Sequence, residues 1–285
     1  MAASALADDV KFLELLFSRR TVFVALIIFA LIVILCVLAP LIAPADPNQM
    51  SVRARLTAPG ADFWMGADAF GRDEFSRMLY AGRVSLTIGL GVATISSVIG
   101  IAIGLFAGFF RSLDAPLSRL IDAMMAFPDI LLAIALVSIL GGSLVNVMLA
   151  LSIVYSPRIA RIVRASTLVI RELPYVEAAR ALGSSTRTIM ITHVLRNILS
   201  PIIVQATFIF AYAMLAEAGL SFLGVGVDPA TPTWGTMINE GRQYLDQAIF
   251  LIVFPGVAIS VSVLSLQLIG DGLRDALDPR LAREL

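Results

Sequence analysis

Three long runs of this sequence contain no charged side chain. Residues 21–43, 84–110 and 248–269 lack Asp, Glu, Lys and Arg altogether. A hydrocarbon layer about 30 Å thick needs about 20 residues of helix, and only helices and closed barrels satisfy every backbone polar group inside it. Hydrophobic residues make up 59% of the chain and charged residues only 15%, far from a soluble composition. The sequence therefore predicts an all-α membrane protein.

Three further apolar stretches raise the expected number of transmembrane helices to six. Residues 116–140, 144–166 and 198–222 are long enough to cross a bilayer, although each carries ionisable side chains. The predicted division of the chain is an N-terminal segment (1–20), transmembrane helix 1 (21–43), a polar loop (44–83), a core with helices 2–6 and a polar hairpin at 171–200 (84–270), and a tail (271–285).

The distribution of basic residues predicts the orientation of these spans. If residue 1 is cytoplasmic, fifteen of the 21 lysines and arginines fall on the cytoplasmic side. Short cytoplasmic segments of membrane proteins are enriched in these two residues. We therefore expect both termini and the hairpin at 171–200 in the cytoplasm, and the loop at 44–83 outside it.

The polar hairpin is built from two short helical patterns. Residues 175–182 have small and helix-favouring side chains, and Gly183 stands where a helix would end in a left-handed turn. The serines after Gly183 can cap a second helix, which is expected to start at about Arg187 and to be broken at Pro201. Small side chains on the first helix would allow another backbone to approach it closely.

The first helix of the hairpin carries a motif. Glu177-Ala178-Ala179, followed by Gly183, resembles the EAA loop of ABC-importer permeases, which docks onto cytoplasmic ATPase subunits. The resemblance implies a set of ATPase-coupling residues: Tyr175, Glu177, Ala178, Ala179, Leu182 and Gly183.

Three other segments extend the resemblance, and the last two are much more specific than the EAA motif. Residues 66–86, 217–237 and 270–281 are similar to the C-type membrane subunit of dipeptide and oligopeptide importers. The similarity runs from about residue 21 to the end of the chain. In the second helix of the hairpin, Arg196 stands where the family usually has proline, so the local bend is expected to differ.

The resemblance also implies partners and a location. It predicts a permease subunit in a bacterial inner membrane, paired with a homologous second permease subunit. Two ATP-binding subunits would hold ATP and Mg, and an extracytoplasmic solute-binding protein would deliver di- or oligopeptides. Relatives of the family also carry nickel chelates, glutathione or sugar derivatives, so these cargoes remain alternatives.

Rare residue types exclude several classes of site within this chain. Lys11 is the only lysine, so there is no P-loop lysine, and ATP hydrolysis is expected in separate subunits. One histidine, His193, and one cysteine, Cys36, cannot supply three or four His or Cys ligands to a metal. The formal net charge of zero does not suggest a nucleic-acid partner. We therefore expect no catalytic site, no metal and no cofactor.

The polar segments outside the membrane suggest contacts for the binding protein. Residues 73–82 combine aromatic and charged side chains, which is typical of a helix lying at the membrane surface. The loop after the fifth span is rich in Gly, Pro and Thr and is expected to be ordered. The candidate contact residues are Asp68, Arg72, Pro232 and Trp234.

Ionisable and aromatic residues within the spans suggest a translocation path. Tyr212 and Glu217 lie in the fifth span, and an intramembrane carboxylate is a functional candidate by default. Asp129 follows Pro128 in the third span and is expected to pair with a charge on a neighbouring helix. A secondary transporter that couples ions at Asp129 and Glu217 is the alternative, but no inverted repeat supports it. A Ser–His protease is excluded, because His193 lies in the polar hairpin.

Two periodic patterns predict helix packing and anchoring. Glycines recur at every fourth position of the second span, at Gly100, Gly104 and Gly108. This row leaves one helix face bare, and a neighbouring membrane helix can pack against it. Arginines recur at every third position near one end of the fourth span, at Arg158, Arg161 and Arg164. We interpret these arginines as a positive-inside anchor.

Overall fold

The computed structural model of the protein describes residues 19–277, which are mainly helical and contain no β-strand. The predicted terminal segments extend beyond this range, so their residues 1–18 and 278–285 lie outside the described part. The α-helices, in chain order, are α1 (Arg20–Val37), α2 (Ala39–Ile42), α3 (Glu74–Phe109), α4 (Arg111–Met125), α5 (Asp129–Leu140), α6 (Leu144–Ile170), α7 (Pro174–Ala181), α8 (Thr186–Thr188), α9 (Leu199–Phe222), α10 (Trp234–Gly241) and α11 (Phe250–Leu277).

Five helical segments are long and apolar enough to cross a membrane. They are α1, α3, α6, the run Thr186–Phe222 that ends with α9, and α11. Helices α4 and α5 meet the same criteria as a pair, although they are bent by 95° relative to each other. The predicted all-α architecture is confirmed, with six crossings when the bent pair counts as one.

The third predicted span is not one straight helix, which corrects the expectation for residues 116–140. Helix α4 begins at Arg111 and has a polar face, whereas α5 is apolar except for its first residue, Asp129, and Ser138. The break between them falls at Phe127 and Pro128. Proline disfavours helical geometry in the residue before it and has no N–H to donate. Helix α4 therefore ends before Pro128, and α5 begins as a new helix at Asp129.

The second predicted span starts ten residues earlier than expected. Helix α3 runs without interruption from Glu74 and has 36 residues, or about 54 Å. The carboxylate of Asp73 caps it by accepting a hydrogen bond from the backbone N–H of Ser76 at 2.7 Å. The predicted surface-lying helix at 73–82 is therefore wrong, because these residues extend the spanning helix beyond the roughly 30 Å hydrocarbon layer.

Helices α3 and α6 pack along the predicted glycine row, which confirms its packing role. A Cβ atom added at Gly100 would lie 2.6 Å from the Cβ of Ile159. One added at Gly108 would lie 2.6 Å from the Cβ of Thr167. Only glycine permits this separation, so the backbone of α3 approaches the side chains of α6 directly.

The fifth span is continuous with the second helix of the hairpin. After α8, the chain forms a π-helical turn (Ile189–Val194) and a 3₁₀ turn (Leu195–Ile198) before α9 begins. The predicted break at Pro201 is wrong: Pro201 lies in the first turn of α9, where proline is tolerated. The irregular winding includes Arg196, the position at which this chain departs from the family pattern.

The boundaries of the first and last spans also differ from the expectation. Helix α1 ends at Val37, and the separate short helix α2 follows it, with Pro40 in its first turn. Helix α11 continues to Leu277, so residues 271–277 are helical and do not form a separate tail.

Candidate functional site

Helix α7 has a local sequence suited to a short, isolated helix. Pro174 occupies its first turn, where a missing N–H costs nothing. Glu177 lies in the first turn and Arg180 in the last, which matches the sign of the helix dipole at each end. The buried side chain of Val176 belongs to the main apolar cluster and fixes the inner face of the helix.

The end of α7 is a left-handed turn at Gly183, as predicted. The φ angle of Gly183 is 82°. Its N–H donates to the carbonyl of Arg180 at 3.0 Å, and the N–H of Ser184 donates to the carbonyl of Ala179 at 3.0 Å. This pair of bonds is a Schellman motif, which satisfies carbonyl groups that the helix end would leave free. The side chain of Ser185 then caps α8 by accepting from the N–H of Thr188 at 3.2 Å.

Tyr175 connects α7 to the second arm of the hairpin. Its hydroxyl donates to the carbonyl of His193 at 3.4 Å, and the amide of Asn197 donates to the Tyr175 hydroxyl at 3.2 Å. The same Asn197 amide donates to the His193 carbonyl at 2.6 Å. Tyr175 thus positions α7, and Asn197 is a residue of this contact that sequence reasoning missed. No local pattern marks the bond of Asn197 to Tyr175, because the two residues lie 22 positions apart.

The outer face of the hairpin is exposed and contains apolar surface. Leu182 is 87% exposed, and Glu177, Ala178 and Gly183 are exposed beside it, while Ala179 is partly buried. A large apolar side chain at the tip of a polar hairpin is unfavourable in water. Five of the six predicted coupling residues lie close to Leu182 in the sequence, and all of them except Ala179 are exposed. Tyr175, which is also exposed, joins α7 to the second arm of the hairpin.

Two predicted contact residues, Asp68 and Arg72, belong to a buried ion-pair cluster. The guanidinium of Arg72 lies 2.5 Å from the Asp68 carboxylate and 2.9 Å from that of Glu240. Arg77 also pairs with Asp68, and it lies 2.9 Å from Glu240. The cluster joins the loop before α3 to helix α10. The sequence did not predict that Arg77 and Glu240 belong to this cluster, because the two residues lie 163 positions apart in the chain.

The predicted contact role of Trp234 does not fit its position. Its side chain is only 2% exposed. The indole N–H donates to the carbonyl of Met78 at 3.0 Å, and the Trp234 backbone N–H donates to the hydroxyl of Ser85 at 3.1 Å. Trp234 therefore fastens α10 to α3, and a docking protein has no access to its ring. Pro232 is partly exposed two residues earlier.

Glu217 has a structural position that corrects its expected place in the path. It is 1% exposed. One carboxylate oxygen accepts hydrogen bonds from the hydroxyls of Ser221 and Thr233, both at 2.8 Å. Its other oxygen has no partner among the described residues. Glu217 thus holds the loop before α10 against α9, and it does not face an open path in this conformation.

Tyr212 lies in a polar and partly exposed cluster within the spans. The guanidinium of Arg158 lies 5.2 Å from the ring centre of Tyr212 and 5.2 Å from that of Tyr155. Arg158 also forms an ion pair with Asp129, which confirms the expected partner of that carboxylate. Tyr212, Arg158 and Asp129 each keep about a third of their surface exposed.

The arginine row of α6 forms ion pairs with neighbouring helices. Arg158 pairs with Asp129, Arg161 lies 2.9 Å from Asp122, and Arg164 lies 2.6 Å from Asp114. Each arginine of the row therefore pairs with an aspartate of α4 or α5. The anchor interpretation was incomplete, because it could not foresee that the bend at Pro128 folds α4 alongside α6.

Sequence relatives of the chain are membrane components of transport systems. The family described as "Binding-protein-dependent transport system inner membrane component" matches residues 100–283, and "N-terminal TM domain of oligopeptide transport permease C" matches residues 11–59. A putative peptide transport system permease protein of Brucella suis is 49% identical over 269 residues, covering 94% of this chain and 91% of the relative.

Two other relatives differ in the cargo that their names state. The dipeptide transport system permease protein DppC of Alkalihalophilus pseudofirmus is 42% identical and covers 93% of this chain and 87% of its own length. The glutathione transport system permease protein GsiD of Pectobacterium atrosepticum is 40% identical, and the match covers 93% of this chain and 89% of the relative.

The fold also matches a solved structure. A chain of the MetNI methionine ABC transporter in an inward-facing conformation superimposes with a TM-score of 0.55, covering 69% of this chain and 94% of that chain. The sequence identity is 20%, so this similarity concerns the fold alone.

Proposed function

Because the chain belongs to the family of binding-protein-dependent transport system inner membrane components, we propose that it forms half of the translocation path of an ATP-driven peptide importer. A homologous second permease subunit would supply the other half. Relatives named as peptide or dipeptide permeases support a peptide cargo. The relative named for glutathione makes that tripeptide the second candidate.

The observation that carries this proposal is the exposed surface around Leu182. A power stroke generated in a soluble ATPase must enter the membrane subunit through an element that is rigid and small enough to be held in a groove. Helix α7 is fixed by its Schellman turn and by the contacts of Tyr175. The exposed Ala178 and the apolar tip at Leu182 would fit such a groove. The groove would belong to the ATPase subunits, and those two separate subunits would bind ATP and Mg.

The cluster around Tyr212 is our candidate for the translocation path. Arg158 lies 14 residues from the start of α6, or about 21 Å, and Tyr212 lies ten residues from the end of α9, or about 15 Å. Exposed charges at this depth would be costly against lipid. They are tolerated where they face a water-filled path between two subunits.

The opposite end of the molecule would meet the solute-binding protein. In the proposed orientation, both termini and α7 are cytoplasmic, while the loop before α3 and helix α10 face outward. Arg72 and Pro232 remain the candidate contacts, because they retain exposed surface. A bacterial inner membrane is the expected location.

Uptake by the complete importer tests the cargo. The chain, the second permease, the two ATPase subunits and the binding protein are reconstituted in vesicles with internal ATP. We expect uptake of a labelled dipeptide that excess unlabelled dipeptide abolishes and a nickel chelate does not affect. Uptake of glutathione alone would select the second candidate. ATP hydrolysis by this chain purified without its partners would contradict the proposal that separate subunits hydrolyse ATP.

A further inference from the structure

A cavity lies between the C-terminal half of α6, the first turns of α9 and the last turn of α11. Its volume is about 430 Å³. Sites for small molecules in proteins usually have volumes of about 300–1,000 Å³. The cavity is therefore large enough for a molecule of the size of a dipeptide.

This cavity continues the candidate translocation path toward the hairpin. On α9, the lining residues Gln205 and Phe208 share one helix face with Tyr212, because they precede it by seven and four positions. On α6, the lining residue Ile162 follows Arg158 by four positions. Phe208 and Ile162 thus lie one helical turn, or about 6 Å, from the cluster around Tyr212. In the proposed orientation, the cavity is the next section of the path on its cytoplasmic side.

Three polar side chains of the lining have no partner in the part of the chain that the structure describes. The side chains of Ser200 and Gln205 are partly buried and make no hydrogen bond, and Arg274 makes neither a hydrogen bond nor a salt bridge. The carboxylate of Asp275, next to Arg274, pairs instead with Arg19 at 2.5 Å. Polar groups away from bulk water are unfavourable without a partner. The cavity therefore suits a polar occupant.

The chemistry of the lining selects this occupant. Arg274 is the only charged residue among the described residues of the lining, and a guanidinium binds a carboxylate through two parallel hydrogen bonds. The amide of Gln205 both donates and accepts hydrogen bonds, as a peptide group does. Val204 and Phe208 add apolar wall for a side chain. The phosphate and ester oxygens of a phospholipid can only accept hydrogen bonds, so they match Gln205 less well than a peptide group does.

We propose that this cavity binds the transported peptide on the cytoplasmic side of the path, and that Arg274 holds the C-terminal carboxylate of that peptide. The proposal rests on the proposed function, because it presumes that the chain carries peptides. Both a dipeptide and glutathione end in a carboxylate, so the site would serve either candidate cargo. A peptide whose C-terminal carboxylate is blocked as an amide would bind poorly.

Protection of an introduced cysteine tests occupancy of the cavity. Ser200→Cys is nearly isosteric and lines the cavity, and the native Cys36 is buried. The complete importer in nanodiscs without ATP is treated with a small uncharged maleimide. We expect a dipeptide to slow the reaction of Ser200→Cys, and its C-terminal amide to need a concentration at least tenfold higher, since a hydrogen bond between charged groups is lost. Ala181→Cys is exposed and outside the cavity, so dipeptide should not change its reaction.

Arg274→Gln, made together with Ser200→Cys, tests the role of the guanidinium. We expect the dipeptide concentration for half-protection to rise by about tenfold or more, and the preference for the dipeptide over its amide to disappear. Arg119→Gln is the matched control, because Arg119 is an exposed arginine of α4 that does not line the cavity. It should leave both quantities unchanged.

Several results would overturn the proposal: an unreactive Ser200→Cys, equal protection by the dipeptide and its amide, or an equal effect of Arg274→Gln and Arg119→Gln. Protection that depends on anionic lipid in the nanodisc and not on dipeptide would show a lipid site in its place. Uptake of dipeptide by the complete importer in vesicles, without protection of Ser200→Cys, refutes the cavity site alone. Failure of the complete importer to take up any peptide refutes the proposed function.

Discussion

At the scale of single residues, Gly183 is required for its backbone conformation and not for space. Its φ angle is 82°, and a Cβ atom added there would meet no other atom within 4 Å. Left-handed geometry costs a residue with a side chain roughly 1–2 kcal/mol, and a β-branched residue resists it most. Asparagine tolerates this geometry better than other residues.

Gly183→Val is therefore expected to loosen the end of α7 and to weaken attachment of the ATPase subunits. The measurement is the amount of ATPase subunit that copurifies with the permease pair. Gly183→Asn is the matched control and should retain most of the attachment. Equal retention by the two variants would show that the turn geometry is unimportant.

The residues that sequence reasoning placed correctly depend on local geometry. Gly183 ends a helix, and the requirement for a left-handed turn can be read from the adjacent residues alone. Trp234 and Glu217 were misplaced because their environment comes from distant segments. The indole of Trp234 binds a carbonyl 156 positions away, and Glu217 accepts a hydrogen bond from Thr233 across 16 positions. Burial of this kind follows from packing, which a single sequence does not display.

At the scale of helices, the glycine row of α3 sets the distance to α6. A Cβ atom at Gly100 would lie 2.6 Å from Ile159 and 2.7 Å from the carbonyl oxygen of Ser156. By contrast, Gly256 in α11 has no atom within 4 Å of its added Cβ. The two glycines therefore predict opposite effects of the same substitution.

Gly100→Ala should destabilise the protein by about 1–3 kcal/mol, because the added methyl group overpacks the contact. Gly256→Ala should stabilise it by about 0.5–1 kcal/mol, because alanine loses less conformational entropy in a helix. Thermal unfolding of the purified permease pair in one detergent compares them directly. Stabilisation by Gly100→Ala would contradict the close packing of α3 on α6.

The apolar spans were easier to predict from the sequence than the boundaries and bends of the helices. The apolar runs marked most spans, since length and lack of charge are properties of the sequence itself. Pro128 indicated the position of the bend between α4 and α5, but the sequence did not predict its angle of 95°. The extension of α3 to Glu74 was missed because a polar helical turn outside the bilayer has no apolar signature.

At the scale of the whole molecule, the orientation in the membrane can be tested by cysteine labelling with little background from native cysteine. Cys36 is the only cysteine and is buried. Cysteines introduced at Ala230 and Ala181, which are both exposed, report on opposite ends of the molecule. In intact cells, an impermeant thiol reagent should label Ala230→Cys, whereas Ala181→Cys should react only after the cells are opened. The reverse pattern would invert the proposed topology.

In the proposed importer, the surface around Leu182 transmits work from the ATPase subunits to the membrane. Leu182 is 87% exposed, so Leu182→Asp should leave folding and insertion intact while placing a charge where an apolar contact is expected. Leu182→Met keeps an apolar side chain and is the control. The decisive measurement is peptide taken up per ATP hydrolysed by the reconstituted importer. We expect Leu182→Asp to lose attached ATPase subunits or to take up less peptide per ATP, and Leu182→Met to remain close to normal. Full assembly and an unchanged ratio in Leu182→Asp would contradict it.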